Sequence, residues 1–122
     1  MNNDEFRRQL EKRTLEFSVS LLNLLAKLPE KKVLWTLINQ LTKSGTSIGA
    51  NYREANRAES RNDFVHKIGI VEKESSETVY WITVLMKVDF IDDCFHPEME
   101  SLLKESVEFL KLFTTINKNA KK

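Results

Sequence analysis

Between Leu34 and Ala55 apolar residues return every three or four positions: Leu34, Ile38, Leu41, Gly45, Ile48, Tyr52 and Ala55. That spacing is the seam of a packed α-helix and does not fit the two-residue alternation of a half-buried strand. Beside the seam, Gln40, Ser44, Ser47, Asn51 and Glu54 recur at the same interval. A solvated helix face carries Lys and Glu. A stripe of short amides and hydroxyls instead predicts partly buried, specific contacts. Gly45 and Gly49 sit within this helix, where each costs about 1 kcal/mol relative to alanine. Two of them predict a place where another helix comes close.

The same period extends through the chain and divides it at Leu28-Pro29-Glu30, Glu59-Ser60-Arg61 and Asp92 to Pro97. Four helices are expected, over about 4–27, 31–58, 61–90 and 97–117, in one domain spanning 1–122. Ser60 and Asp63 resemble a capping box at the third helix, and Pro97 suits a first helical position. Short linkers favour antiparallel neighbours, so the fold class is all-α, an antiparallel up-down-up-down four-helix bundle. Its expected core is Leu21, Leu24, Leu41, Ile48, Ile68, Val71, Ile82, Leu103, Leu110 and Phe113. The Lys-rich segment from Lys118 to Lys122 is expected to fray.

Helix one has two apolar faces. Phe6, Leu10, Phe17, Leu21, Leu24 and Leu28 share one, while Leu15, Val19, Leu22 and Ala26 lie about half a turn away. A four-helix monomer needs one buried face per helix, and large exposed apolar patches are rare on soluble monomers. Self-association is therefore expected, with Leu15, Val19 and Leu22 in the interface. Trp81 joins them from a flank of helix three, which also carries Ile70, Val88 and Ile91.

No reaction is legible in the residue pattern. Asn51, Glu54, Glu74 and Glu77 can be read as a ligand or metal site, or as an interhelical network that fixes register. The second reading is preferred, and with Gln40, Ser44 and Ser47 it defines a polar network. The only histidines, His66 and His96, follow Asp63 and Asp93 at a three-residue spacing, short of the Glu-x-x-His pairs of di-metal bundles. Cys94 and the serines have no identifiable base, so neither catalysis, metal nor cofactor is expected. Arg53, Arg57 and Arg61 recur every four residues and with Lys43 and Lys67 form a candidate phosphate-binding ridge. Acidic residues interrupt it, but cyclic symmetry would multiply it into a band. Lys31 and Lys32, Arg7 and Arg8, and Lys12 and Arg13 are weaker basic pairs.

Composition limits the rest. A net charge of +1 excludes a strongly cationic coat, and a lone cysteine allows no internal disulfide, which favours the reduced cytoplasm. The acidic start, Met1-Asn2-Asn3-Asp4-Glu5, is unlike the basic head of a secretory signal. No apolar run approaches the roughly 20 residues that span a bilayer.

The pattern Gln40-Leu41-x-Lys43-Ser44-x-x-Ser47-Ile48-x-x-Asn51-x-x-Glu54-Ala55, with Phe64 and Glu74-x-x-Glu77-Thr78 beyond it, resembles the bacterial four helix bundle proteins. These are also called 23S ribosomal RNA intervening-sequence proteins, and the resemblance covers nearly the whole chain. It implies a ring-shaped homopentamer, and it extends to basic accessory proteins of diversity-generating retroelements that bind nucleic acid and a reverse transcriptase. The function it implies is a non-enzymatic accessory with weak, sequence-tolerant RNA or DNA binding. The alternative is a structural or adaptor module that binds another protein.

Overall fold

Asn2 accepts the backbone N–H of Glu5 and starts the first helix, α1, at Asn3–Lys27. The computed structural model describes residues 2–122 and continues with α2 (Trp35–Ala55), α3 (Arg61–Lys87) and α4 (His96–Ala120). Single 3-10 turns, Lys32–Leu34 and Asp93–Phe95, lead into α2 and α4. The described residues contain no strand. No helix among them is long and apolar enough to cross a membrane.

Cross-helix pairs fix the order as up-down-up-down. Lys27 at the end of α1 meets Glu98 at the start of α4, Arg13 meets Glu105, and Glu72 of α3 meets Asn117 of α4. Helix ends follow local chemistry. Ser60 accepts from the Asp63 N–H at 3.1 Å, and Asp63 reaches back to the Glu59 N–H at 3.2 Å, one residue before the expected partner. Pro97 occupies the first turn of α4.

Four boundaries differ from the sequence expectation by three or more residues. The second helix starts at Trp35 rather than 31, because a 3-10 turn over Lys32–Leu34 precedes it. The second helix stops at Ala55 rather than 58, because Asn56 turns its amide onto Glu11 of α1 at 2.8 Å and Arg57 and Ala58 close a turn. The third stops at Lys87 rather than 90, where Val88 adopts an extended backbone. The fourth continues to Ala120, because Arg61 donates to the carbonyls of Ala120 and Lys122 and so caps a segment expected to fray.

The core holds eight of the ten expected residues. Leu103 and Leu110 are the exceptions: both lie half-exposed on the flank, and α4 turns Met99, Leu102, Phe109 and Phe113 inward instead. Small hydroxyls complete that stripe and others like it. Thr14, Ser44, Ser75, Thr78 and Ser106 are buried, each bonded to a carbonyl of its own helix. The glycines of α2 sit where α1 comes closest. A Cβ at Gly45 would collide with Leu21, and one at Gly49 would stand 3.1 Å from the Thr14 hydroxyl. The close approach expected from the glycine pair is present.

Candidate functional site

Two surfaces hold the residues expected to act. The first lies along the outer flank shared by α2 and α3. Ser44 is fully buried and its hydroxyl accepts from Thr78 at 3.0 Å, which pins α2 to α3. The remaining members turn outward. Ser47 donates to the Lys43 carbonyl at 2.5 Å and Asn51 to the Ser47 carbonyl at 2.9 Å, so both spend their donors on their own helix. Gln40, Glu54 and Glu77 are exposed. Within one chain the seven residues do not join into a single network.

Glu74 is the member with a perturbed charge. It is half-buried, and desolvation, followed by repulsion from Glu77, pushes its carboxyl above the ordinary glutamate value despite the opposing pull of Lys73 and Lys43. A carboxyl that holds its proton more tightly when folded adds stability below its ordinary range. That contribution is lost as pH rises through the raised native value. Glu74→Gln cannot ionise, so the variant is expected to be more stable than wild type at pH 7 and less sensitive to pH between 4 and 7. Urea melts at both pH values check this. A variant weaker than wild type at pH 7 would show that the carboxylate is a required anion.

The second surface is the candidate basic ridge, and the folded chain breaks it up. Because α2 ends at Ala55, Arg53, Arg57 and Arg61 fall on a helix, a turn and the next helix rather than along one ridge. Arg53 lies 3.9 Å from Glu11, Lys67 pairs with Asp63 at 3.0 Å, and Arg61 is engaged with carbonyls at the end of α4. Lys43 and Arg57 are exposed and form no ion pair among the described residues.

The apolar face of α1 is exposed as its second stripe requires: Leu15 is 55% accessible, Val19 51% and Leu22 44%. Trp81 is half-buried, its ring 5.0 Å from the more exposed Tyr80.

Sequence spacing missed the long-range polar pairs. Arg13 grips Glu105 with two bonds of 2.7 and 2.6 Å, and that bond raises the guanidinium pKa further. With Lys27–Glu98 it closes both ends of a groove of about 620 Å³ between α1 and α4. Glu72 accepts from Thr114 at 2.9 Å and Asn117 at 3.0 Å. Asp63 is held by Lys67, and His96 stands 3.9 Å from Asp93. Cys94 is exposed, and its neighbour Asp92 pushes the thiol pKa up, away from the reactive thiolate. Among the described residues no three His, Cys, Asp or Glu side chains come together as a metal-ligand cluster.

What the fold and surfaces define is an antiparallel helical bundle pinned by cross-helix polar pairs, with an unpartnered apolar face on its first helix. The sequence matches the 23S rRNA-intervening sequence protein family over residues 8–114, and the chain belongs to that family. A solved structure from Bacteroides thetaiotaomicron VPI-5482, described as a protein with unknown function from the S23 ribosomal protein family, is similar to it at 38% identity. The match covers 92% of this chain and 97% of the other, with a TM-score of 0.79. No curated protein matches.

Proposed function

We propose that this chain is a non-catalytic, self-associating bundle, a homopentamer by resemblance. In this reading it works in the cytoplasm as an accessory factor and binds RNA or DNA weakly through phosphate contacts. The observation that carries the reading is the exposed Leu15, Val19 and Leu22 stripe, set opposite a fully formed core face on the same helix. Apolar surface of that kind is favourably removed from water by a second copy. Closed symmetry then repeats each exposed cation around the assembly, so that Lys43 and Arg57, weak alone, act together. The family's description, 23S rRNA-intervening sequence protein, favours a nucleic-acid partner.

The test is binding of labelled single-stranded RNA and duplex DNA across a salt series. Wild type is expected to bind at low salt and to lose affinity steeply as salt rises. Arg53→Gln with Arg57→Gln is expected to weaken binding on all sequences and to lower the slope of log affinity against log salt by about 1.5. Exposed Trp35, Tyr80 and Val33 favour the second reading, an adaptor for another protein such as a reverse transcriptase. Absence of binding at low salt, where electrostatics are strongest, would put the adaptor in its place.

A further inference from the structure

Charge in this bundle is segregated along its long axis. Each helix can be divided at its central residue. The half that holds both chain ends and the α2–α3 turn then carries 13 Lys and Arg against 7 Asp and Glu. The half that holds the α1–α2 and α3–α4 connections carries 6 against 9. A net charge of +1 conceals this polarity, because the acidic half and the central Glu74 and Glu108, which belong to neither half, offset most of the basic excess.

The excess has one main source. From Phe109 onward the chain holds Lys111, Lys118, Lys121 and Lys122 and no acidic residue. Lys111 leans toward Glu108 at 3.8 Å, while the other three are exposed and form no ion pair among the described residues. The backbone that carries them is tethered at Ala120. Arg61, at the first position of α3, donates to the carbonyls of Ala120 and Lys122 and draws the end of α4 against the α2–α3 turn. That turn contributes Arg57, which is likewise exposed and unpaired. On the far half, by contrast, Asp89, Asp92, Asp93 and Glu100 crowd the α3–α4 connection.

We infer that the nucleic-acid contact surface is this pole of the bundle, with Arg57, Lys118, Lys121 and Lys122 as the phosphate-binding groups and Arg61 as the residue that positions them. The inference rests on the nucleic-acid reading above and gathers its contacts into a cluster at one end. An approaching polyanion meets attraction at this pole and repulsion at the other, so it orients the assembly as well as binding it. Phosphate contacts of exposed lysines read no bases, so binding is indifferent to sequence.

Two triple variants with the same change in net charge separate place from total charge. One is Lys118→Gln, Lys121→Gln and Lys122→Gln at the basic pole. The other is Lys31→Gln, Lys32→Gln and Lys87→Gln at the acidic pole, where all three are exposed. The probe is a fluorescein-labelled single-stranded RNA of mixed sequence, with circular dichroism and light scattering confirming that fold and assembly are intact. The basic-pole triple is expected to lower the log–log salt slope by about 2, at roughly 0.7 per phosphate contact on a single strand. The acidic-pole triple is expected to leave the slope at its wild-type value. Equal losses from both triples would overturn the inference by showing that only net charge matters. Retention of the wild-type slope by the basic-pole triple would also overturn it, and would leave the nucleic-acid reading standing. Wild type that binds no RNA at low salt overturns that reading and this inference together.

Discussion

Phe109→Ala is expected to cost about 3–5 kcal/mol of folding stability, the range for truncating a fully buried aromatic ring. The ring is inaccessible to solvent and meets three side chains of the α1–α4 seam. Phe17 of α1 meets it edge-on at 5.3 Å, Phe113 lies at 6.2 Å on its own helix, and the Arg13 guanidinium stands 5.2 Å from its centre. Arg13 is in turn held by Glu105, so the charge that roofs the ring is already paired. Removing the ring loses its apolar burial and leaves a cavity that Leu102 and Phe17 cannot fill without shifting α1. Small domains are stable by only about 5–15 kcal/mol, so the loss is a large part of the total. Urea denaturation checks it. A loss below about 1.5 kcal/mol would mean that the α1–α4 seam closes easily over the gap.

Phe109 also shows where the sequence misleads. In α1, α2 and α3 the inward face also includes small polar residues, yet the core positions chosen from the three- and four-residue spacing are buried there. In α4 the true inward row is Met99, Leu102, Ser106, Phe109, Phe113 and Asn117, and two of its six members are polar. Leu103 and Leu110, seven residues apart, outscore it on hydrophobicity. The polar members keep their donors paired, since Ser106 donates to the Leu103 carbonyl and the Asn117 amide to Glu72, while the buried Asn117 Oδ1 is left without a partner. That compensation involves a residue on another helix and leaves no trace in the spacing.

The same limit governs the candidate sites. Gly45 and Gly49 could be read as a close approach because glycine in a helix is costly in itself. The expected polar stripe gave one true cross-helix bond, Ser44 with Thr78, since short hydroxyls on the seam side must find partners when buried. Its outer members had solvent and their own carbonyls available. Arg13 with Glu105 and Glu11 with Asn56 lie 92 and 45 residues apart, and no local period connects them. The arginine ridge failed for a different reason. Its four-residue spacing is meaningful only while the helix continues, and the Asn56 side chain ends α2 before Arg57 is reached.

Val19→Asp with Leu22→Asp is expected to reduce a particle of several chains to a single chain without loss of helix. Both residues are about half exposed in the lone chain and lie opposite the core face of α1, so neither supports the fold of its own bundle. In an assembly they would be covered. Burying a fully exposed Val or Leu side chain is worth about 1.5–3 kcal/mol, so covering the exposed half of both carries about 1.5–3 kcal/mol at each copy of the interface. Converted at 1.4 kcal/mol per factor of ten, association weakens by roughly one to two powers of ten, before any cost of desolvating the new carboxylates. Light scattering at micromolar concentration, with circular dichroism alongside, reads both outcomes. A double variant that keeps the wild-type mass would move the interface to the exposed aromatics, Trp35 and Tyr80, or to the Trp81 flank. A wild-type chain that is already monomeric would leave the stripe to a different protein, and the symmetry that multiplies its cations would be lost with it.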